Sequence, residues 1–426
     1  MSKKSSKKRK LNYTRVTSVL VVVLLVIFGG VYGLKQTKKD NENGSNKNGI
    51  LSTFAPEEKV ETYNASILAA GDVMVHSPQL KAQYDSSTKT YNFDNNFKYV
   101  KKYIEKADYS LANLETTLAG NDVYPYSSYP MFNSPDELAD SLKNAGFDLL
   151  STINNHSYDK SDLGVSRTLK TLKEKGFDTV GTRENESDDD FLIKEINNIK
   201  VGFTSYSYGD IKDGIKYLNG IKVSKESGDK MNVFDASNVD NAFDTISTTL
   251  DKMKDTDIQV AILHWGVEYT RDEIDFQNKL AQKLCDAGVD IIIGSHPHVV
   301  EPVETIKSTD GKNECVVVYS LGNYISNQRR ETVGAYSEDG LMVNFDITKK
   351  SNEDKATVKK VTCIPTWVNK YNNGVKDVYE IIPIEDKDNL DSMKNLNKSK
   401  VSQSYENTSS LIDTSEIIKV VDNPFK

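Results

Sequence analysis

From Ser66 onward, short apolar runs alternate with segments of helical spacing, and this alternation constrains the fold more than any other feature of the chain. "SILAAGD" reads as a strand ending in a turn, and "NNFKYVKKYIEKA" has helical spacing and precedes the strand "DYSLANLE". "SPDELADSLKNAG" opens with Ser-Pro-Asp, a helix start, and stops at Gly146 before the strand "FDLLST". The helix "DLGVSRTLKTLKEKG" leads into "FDTVGT", and "IQVAILH", "EIDFQNKLAQKLCDAG" and "VDIIIGSH" repeat the theme. Such alternation predicts an α/β fold with a largely parallel sheet. The later runs "CVVVYSLGN", "GLMVNFDIT", "KATVKKVTCIPTWV" and "VYEIIPI" have few helical patterns and read as antiparallel strands. Beyond Asp386 the chain is polar and low in aromatics, a tail expected to be partly helical or mobile.

Active sites in parallel sheets gather at the carboxyl ends of strands, and that is where the unusual residues lie. Asp72 and His76 follow the first strand, Asn113 and Glu115 the second, and Asn155 and His156 the third. His264 ends a later strand, and His296 and His298 end the next. All five histidines of the chain therefore sit at or near a predicted strand end. Singly, each has an ordinary explanation: a hydrogen-bonding loop residue, a turn-stabilising Asp72 or Asn155, a helix-capping Glu115. Together they point to a metal centre. Imidazole nitrogen mixed with carboxylate oxygen suits Mn²⁺, Zn²⁺ or Fe rather than Ca²⁺. Two such ions need a bridging carboxylate and leave room for a water that attacks phosphorus. Pro297, between His296 and His298, restricts the backbone of both neighbours and helps fix two rings in different directions.

Charge is distributed unevenly. Met1–Arg15 carries seven Lys/Arg and no acid, so a net charge of −8 for the chain leaves −15 on the rest. The uncharged stretch Val16–Leu34 follows; as a helix its nineteen residues would extend about 28 Å. A cationic flank before one apolar span predicts a cytoplasmic N-terminus and an extracellular main domain held at the cell membrane. The span is long for a signal peptide and no A-x-A-like site follows it, which favours an uncleaved anchor. An acidic body with no basic stripe argues against a nucleic-acid partner. Cys285, Cys315 and Cys363 are widely spaced, as expected of buried thiols, although one disulfide with a leftover thiol stays open.

The motifs "GDVMVH", "ANLE", "NNHSYDKSDLG", "HWGVEY", "GSHPHVVEP" and "YSLGNY" resemble those of the CapA/PgsA family of poly-γ-glutamate capsule-synthesis proteins, within the calcineurin-like metallophosphoesterase superfamily. The resemblance runs from about Ile67 to Tyr324. It implies a layered β-sandwich flanked by helices over residues 64–385. The full expected order is a basic segment (1–15), one transmembrane helix (16–34), a linker (35–63), this domain and a polar tail (386–426).

Carried over residue by residue, the superfamily pattern implies two divalent transition-metal ions (Mn, Fe or Zn). Asp72 and His298 would ligand the first; Asn155, His264 and His296 would ligand the second; Glu115 would bridge. His156 would stabilise or protonate the leaving oxygen, with Asp159 either orienting it or serving a turn. Asn113, Trp265, Glu268 and Asn323 resemble positions near the pocket, where packing is an equal alternative to substrate contact. The chain departs from the superfamily in two places. Met74 stands where Asp-x-His would have its histidine, leaving His76 as a ligand, a substrate contact or neither; and the bridging position holds Glu115 rather than Asp.

The resemblance implies capsule biosynthesis or export, with capsule-synthesis membrane subunits as partners. An anionic polymer or a phosphate ester would be the substrate. A phosphoesterase acting on a cell-envelope phosphate ester and a non-catalytic polymer-binding subunit are the alternatives. There is no G-x-x-x-x-G-K-[ST] loop, so ATP-driven ligation would fall to another subunit.

Overall fold

Along β1 (Thr62–Val73), Ile67 and Ala69 enter one hydrophobic cluster while Leu68 and Ala70 enter another. This two-faced alternation recurs across the molecule and sets its layers. The computed structural model describes residues 59–426, apart from 386. After β1 come α1 (Ser77–Gln83), β2 (Tyr109–Leu114), α2 (Glu137–Ala145), β3 (Leu149–Ser151), α3 (Ser161–Glu174) and β4 (Asp178–Val180). Then follow β5 (Ile199–Lys212), α4 (Val239–Lys252), β6 (Ile258–His264), α5 (Asp275–Asp286), β7 (Ile291–Ser295), β8 (Val303–Lys307) and β9 (Glu314–Val318). The chain continues through β10 (Asn323–Ile325), β11 (Asp339–Lys350), β12 (Thr357–Asn372), β13 (Asp377–Pro383) and α6 (Lys398–Ser409).

Two mixed sheets result. One runs β13-β12-β11-β1-β2-β3-β4, with β10 also pairing with β1. In the other, β5-β6-β7-β9-β8 continues a short meander, Ile215–Leu218 and Ile221–Lys222. Between them lies a core fed by both, including Ile67, Leu111, Phe203, Val260, Ile262, Ile293, Val343 and Phe345. On the far face of the first sheet Leu68, Ala112 and Leu150 meet Leu138 and Leu142 of α2. On the far face of the second, Leu263 and Ile292 meet Ile246 and Leu250 of α4 and Leu280 and Leu284 of α5. The order of layers is helix, sheet, sheet, helix, a mixed α/β sandwich. Each fully buried aliphatic side chain in the central layer contributes roughly 1.5–3 kcal/mol.

β1–β4 are mutually parallel, as are β5, β6, β7 and β9, while β11–β13 are antiparallel. One expectation is corrected here: Cys315–Val318 pairs parallel to β7 and is antiparallel only to β8. Its four apolar residues are buried on both faces, which removes the alternation that would have marked its direction. The polar segment after 386 docks on the first sheet: Val401 and Tyr405 of α6 pack with Trp367, and Ile418–Val420 pairs with β12.

The expected localisation is corrected. No helix among the described residues is long and apolar enough to cross a membrane. The two fourteen-residue helices α3 and α4 would extend only about 21 Å against a bilayer core of about 30 Å, and each keeps a polar face. The span Val16–Leu34, on which the expected anchor rested, lies outside the described residues. A single-pass placement with an external domain is therefore not carried forward.

Candidate metal centre

The central core ends, at the carboxyl edge of both sheets, in polar residues that keep the inward phase of the apolar ones below them. On β2 the inward series Tyr109, Leu111 continues as Asn113 and Glu115; on β6, Ile258, Val260, Ile262 continues as His264. β1 reaches the same level through an irregularity at Gly71, after which Asp72 aligns with Asn113 on one side and Asn323 of β10 on the other. In the second sheet His264 aligns with Ser295 of β7.

Two glycines make this rim possible. A Cβ at Gly71 would collide with the carbonyl of Gly322, and one at Gly294 with the carbonyl of Tyr319 and the indole nitrogen of Trp265. Just beyond Gly294, His296 and His298 flank Pro297 with φ of 103° and 57°, a region non-glycine residues seldom occupy. Each such residue costs on the order of 1–3 kcal/mol, which the surrounding contacts must offset. The Tyr269 amide donates to the Pro297 carbonyl at 2.8 Å, and the His296 amide donates to Asp72 Oδ2 at 3.3 Å. The turn is thus pinned to both sheets.

The side chains converge. Asp72, Glu115 and His298 offer ligand atoms within 4.8 Å of one another, and so do Glu115, His264 and His296. Glu115 belongs to both groups. His264 Nε2 is 3.0 Å from Asn155 Oδ1 and 3.6 Å from Glu115 Oε1, and its Nδ1 is 2.9 Å from Ser295 Oγ. A ring held through its second nitrogen in this way is oriented as metal-binding histidines are. His298 lies 3.3 Å from Asp72 Oδ2 through Nδ1 and 3.7 Å from Glu115 Oε1 through Nε2. Asn113 Nδ2 donates to Asp72 Oδ1 at 2.8 Å and so fixes the carboxylate rather than facing a ligand.

These residues fit a cation. Glu115 is wholly buried, and neither of its oxygens has a hydrogen-bond partner among the described residues; His296 Nδ1 and His298 Nδ1 are likewise buried and unpartnered. An ionised carboxylate in such a place costs several kcal/mol unless a positive charge compensates it. Burial first, then the neighbouring Asp72, Glu268 and Asp159, push the Glu115 carboxyl well above its ordinary range. Burial first, then neighbouring imidazoles, hold His264 and His296 well below theirs, so both present lone pairs.

Beside this centre, His156 Nδ1 meets Asp159 Oδ2 at 2.8 Å, and the Phe132 amide donates to the same oxygen at 2.6 Å. The Phe132 ring stands edge-on to His156 at 4.7 Å and to His76 at 5.2 Å. His76 joins neither ligand group. Its Nδ1 accepts from the Asn327 amide at 3.3 Å, and burial first, then His298, pushes its imidazole down to about 4. Met74 is buried. Trp265 is core: its Nε1 donates to the Tyr319 carbonyl at 2.9 Å and its ring stacks on Tyr319. Asn323 donates to the carbonyls of His298 and Ser337 and so shapes the histidine turn.

Sequence reasoning missed four neighbours. Ser295 holds His264; Asn154 Nδ2 donates to Asn113 Oδ1 at 3.2 Å; the Tyr208 ring lies 4.6 Å from that of His296. Glu301, buried in "HVVEP", accepts from Gln277 Nε2 at 2.8 Å. Ser295 and Asn154 adjoin sequence-flagged ligands and were findable by position; Tyr208, on β5, carried no local signal.

A model of the family described as "Bacterial capsule synthesis protein PGA_cap" matches residues 66–328. The chain belongs to this family. The match spans the whole site, from β1 to the loop after β10 that carries Asn327. The PGA_cap chain is 30% identical to the PGA biosynthesis protein CapA of Bacillus subtilis (strain 168) over 310 residues, covering 69% of this chain and 72% of that one. It is 27% identical to the capsule biosynthesis protein CapA of Bacillus anthracis over 335 residues, covering 76% and 71% respectively. Among solved structures, the calcineurin-like phosphoesterase YfkN from Bacillus subtilis overlays with a TM-score of 0.39 at 16% identity, covering 82% of this chain and 98% of that one.

Proposed function

We propose that this chain acts in poly-γ-glutamate capsule biosynthesis through a divalent-metal centre at the joint rim of its two sheets, used for hydrolytic chemistry on a phosphate ester or for holding an anionic polymer. The observation that carries this reading is Glu115: a wholly buried carboxylate, unpartnered at both oxygens, between Asp72 and three histidines. The names of the two CapA relatives support the capsule process.

Asp72, Glu115 and His298 would hold one ion, and Glu115, His264, His296 and Asn155 a second. When bound, such ions lower the pKa of a coordinated water and neutralise phosphoryl oxygens. The remaining chemistry belongs to the chain. Asp159 holds the His156 ring through Nδ1, so the other nitrogen, Nε2, is the one free to give a proton to a departing oxygen. The Phe132 amide, fixed on Asp159, keeps the pair in place. Asn113 and Ser295 hold Asp72 and His264 in their present orientations.

A second reading, binding without turnover, is favoured by one observation: the residue two after Asp72, where the superfamily pattern implies a histidine, is the buried Met74. Metal analysis of the purified full chain tests the first step, with His296→Ala and His298→Ala as controls. Less than about a tenth of an equivalent in the parent protein would defeat the metal centre. With metal present, cleavage of simple phosphomonoesters or diesters with Mn²⁺ supports hydrolysis, and its absence supports the binding role.

A further inference from the structure

Among the described residues the Asp72 group holds one imidazole, His298, where the other buried group holds two. Met74 offers no nitrogen, and His76, whose Nδ1 accepts from the Asn327 amide, has neither ring nitrogen in a ligand group. A third carboxylate stands close by. Glu268, His296 and His298 offer ligand atoms within 4.8 Å of one another, so Glu268 shares one histidine with each of the two buried groups. Its backbone explains the placement. Residues 267–270 form a turn in which the Thr270 amide donates to the Val267 carbonyl, and Tyr269, at φ 62°, donates its amide to the Pro297 carbonyl. The turn carrying Glu268 is thereby fastened to the proline between the two histidines.

A second observation points to a ligand here. His296 Nδ1 is buried without a hydrogen-bond partner, and His298 Nδ1, though 3.3 Å from Asp72 Oδ2, makes no hydrogen bond. Glu268 itself is exposed, and no Lys or Arg pairs with it among the described residues. Its carboxylate can reach both buried imidazoles without leaving the solvent face, all three ligand atoms lying within 4.8 Å of one another.

We infer that Glu268 is a further metal ligand, supplied from the solvent side by the turn after β6 to the two histidines that the buried groups share. This rests on the reading that the centre binds metal. Asp72 and Glu115 are then the buried carboxylates of the centre and Glu268 the exchangeable one. Two buried carboxylates against two divalent ions leave two net positive charges once Glu268 moves aside, enough to draw an anionic oxygen to the place it vacates.

The test is a titration of the full chain with Mn²⁺ alone, followed by loss of the free-ion EPR signal, for the parent, Glu268→Gln and His76→Gln. Circular dichroism and thermal melting should match the parent for Glu268→Gln, since the side chain is exposed. The expected result is at least tenfold weaker binding of one Mn²⁺ equivalent in Glu268→Gln and less than twofold change in His76→Gln. The tenfold ratio should persist between about 0.05 and 0.5 M KCl, because a bound ligand is not screened as a distant charge is. Parent-like binding in Glu268→Gln, a ratio that collapses toward one at high salt, or an equal loss in His76→Gln would each overturn the assignment. Absence of Mn²⁺ binding in the parent would instead overturn the metal reading itself.

Discussion

The two halves of the centre are built differently. On the second sheet, His264 is fixed at both nitrogens, by Ser295 and Asn155, and His296 stands 4.8 Å from it between ring centroids. On the first sheet, Asp72 is fixed by Asn113, but the one imidazole in its group among the described residues, His298, comes from the turn after β7 of the other sheet. Glu115 serves both. The comparison teaches that one group of candidate ligands can be held in place from within its own sheet while the other draws its imidazole from the opposite sheet.

The largest expected effect follows from the shared carboxylate. Glu115→Gln should remove both ions, taking metal content below about a tenth of an equivalent. Its metal-free form should melt no lower than the metal-free parent, because an amide is buried where a carboxyl was held far above its usual range. Retention of one full equivalent would show that the halves do not depend on Glu115.

The asymmetry itself is sharpened by one variant in each half. His264→Ala should weaken the tighter equivalent by about 100-fold, at the upper end of what disturbing a metal site costs. Asp72→Asn should weaken only the looser one, by about tenfold on the same scale. Isothermal titration with Mn²⁺ reads both, and equal losses in the two variants would dissolve the distinction.

A carboxylate just outside the centre supplies a contrast in pH. Burial pushes Glu301 up to about 8, partly offset by its hydrogen bond from Gln277. Such a group is protonated in the folded chain while ionised in the unfolded one between its ordinary value and 8. Its contribution is therefore complete below about pH 4.3 and is lost as pH rises through 8, at most about 1.4 kcal/mol per pH unit. Urea unfolding across that window should show stability falling, with a shallower slope in Glu301→Gln whether or not metal is present. An unchanged slope would place the titration elsewhere, for instance at Asp290 or Asp339, both pushed up to about 6 by burial.

The smallest effect on the centre should come from the disulfide. Cys285 and Cys315 are bonded, joining α5 to β9, and Cys363 is a buried free thiol. Reduction should cost about 3 kcal/mol of stability while leaving Mn²⁺ stoichiometry unchanged. A lost equivalent would show that the link also holds the histidine turn.

Much of this arrangement was legible in the residues. Strand–helix alternation marked the α/β class and its parallel strands, the two-sheet sandwich being implied by the family resemblance alone, and the histidines at strand ends marked the rim, because the inward phase of a strand is visible as period-two apolarity. Other features were not. The positive φ of His296 and His298 follows from contacts made by Tyr269 and Asp72, which are remote in sequence. The cysteine pairing depends on α5 crossing β9, and the direction of β9 was hidden by its burial on both faces. "HWGVEY" drew attention to Trp265, which is core, as much as to Glu268, which stands beside the two histidines. Asn113 and Asn323 sit at the site but hold other groups in place, a division of labour that residue type alone does not reveal.

The most direct test is elemental analysis of the full chain after reconstitution with Mn²⁺ and removal of loosely held ions, with Glu115→Gln alongside. The account predicts about one to two equivalents in the parent and less than about a tenth in the variant. Less than about a tenth in the parent, with the protein folded, would contradict it.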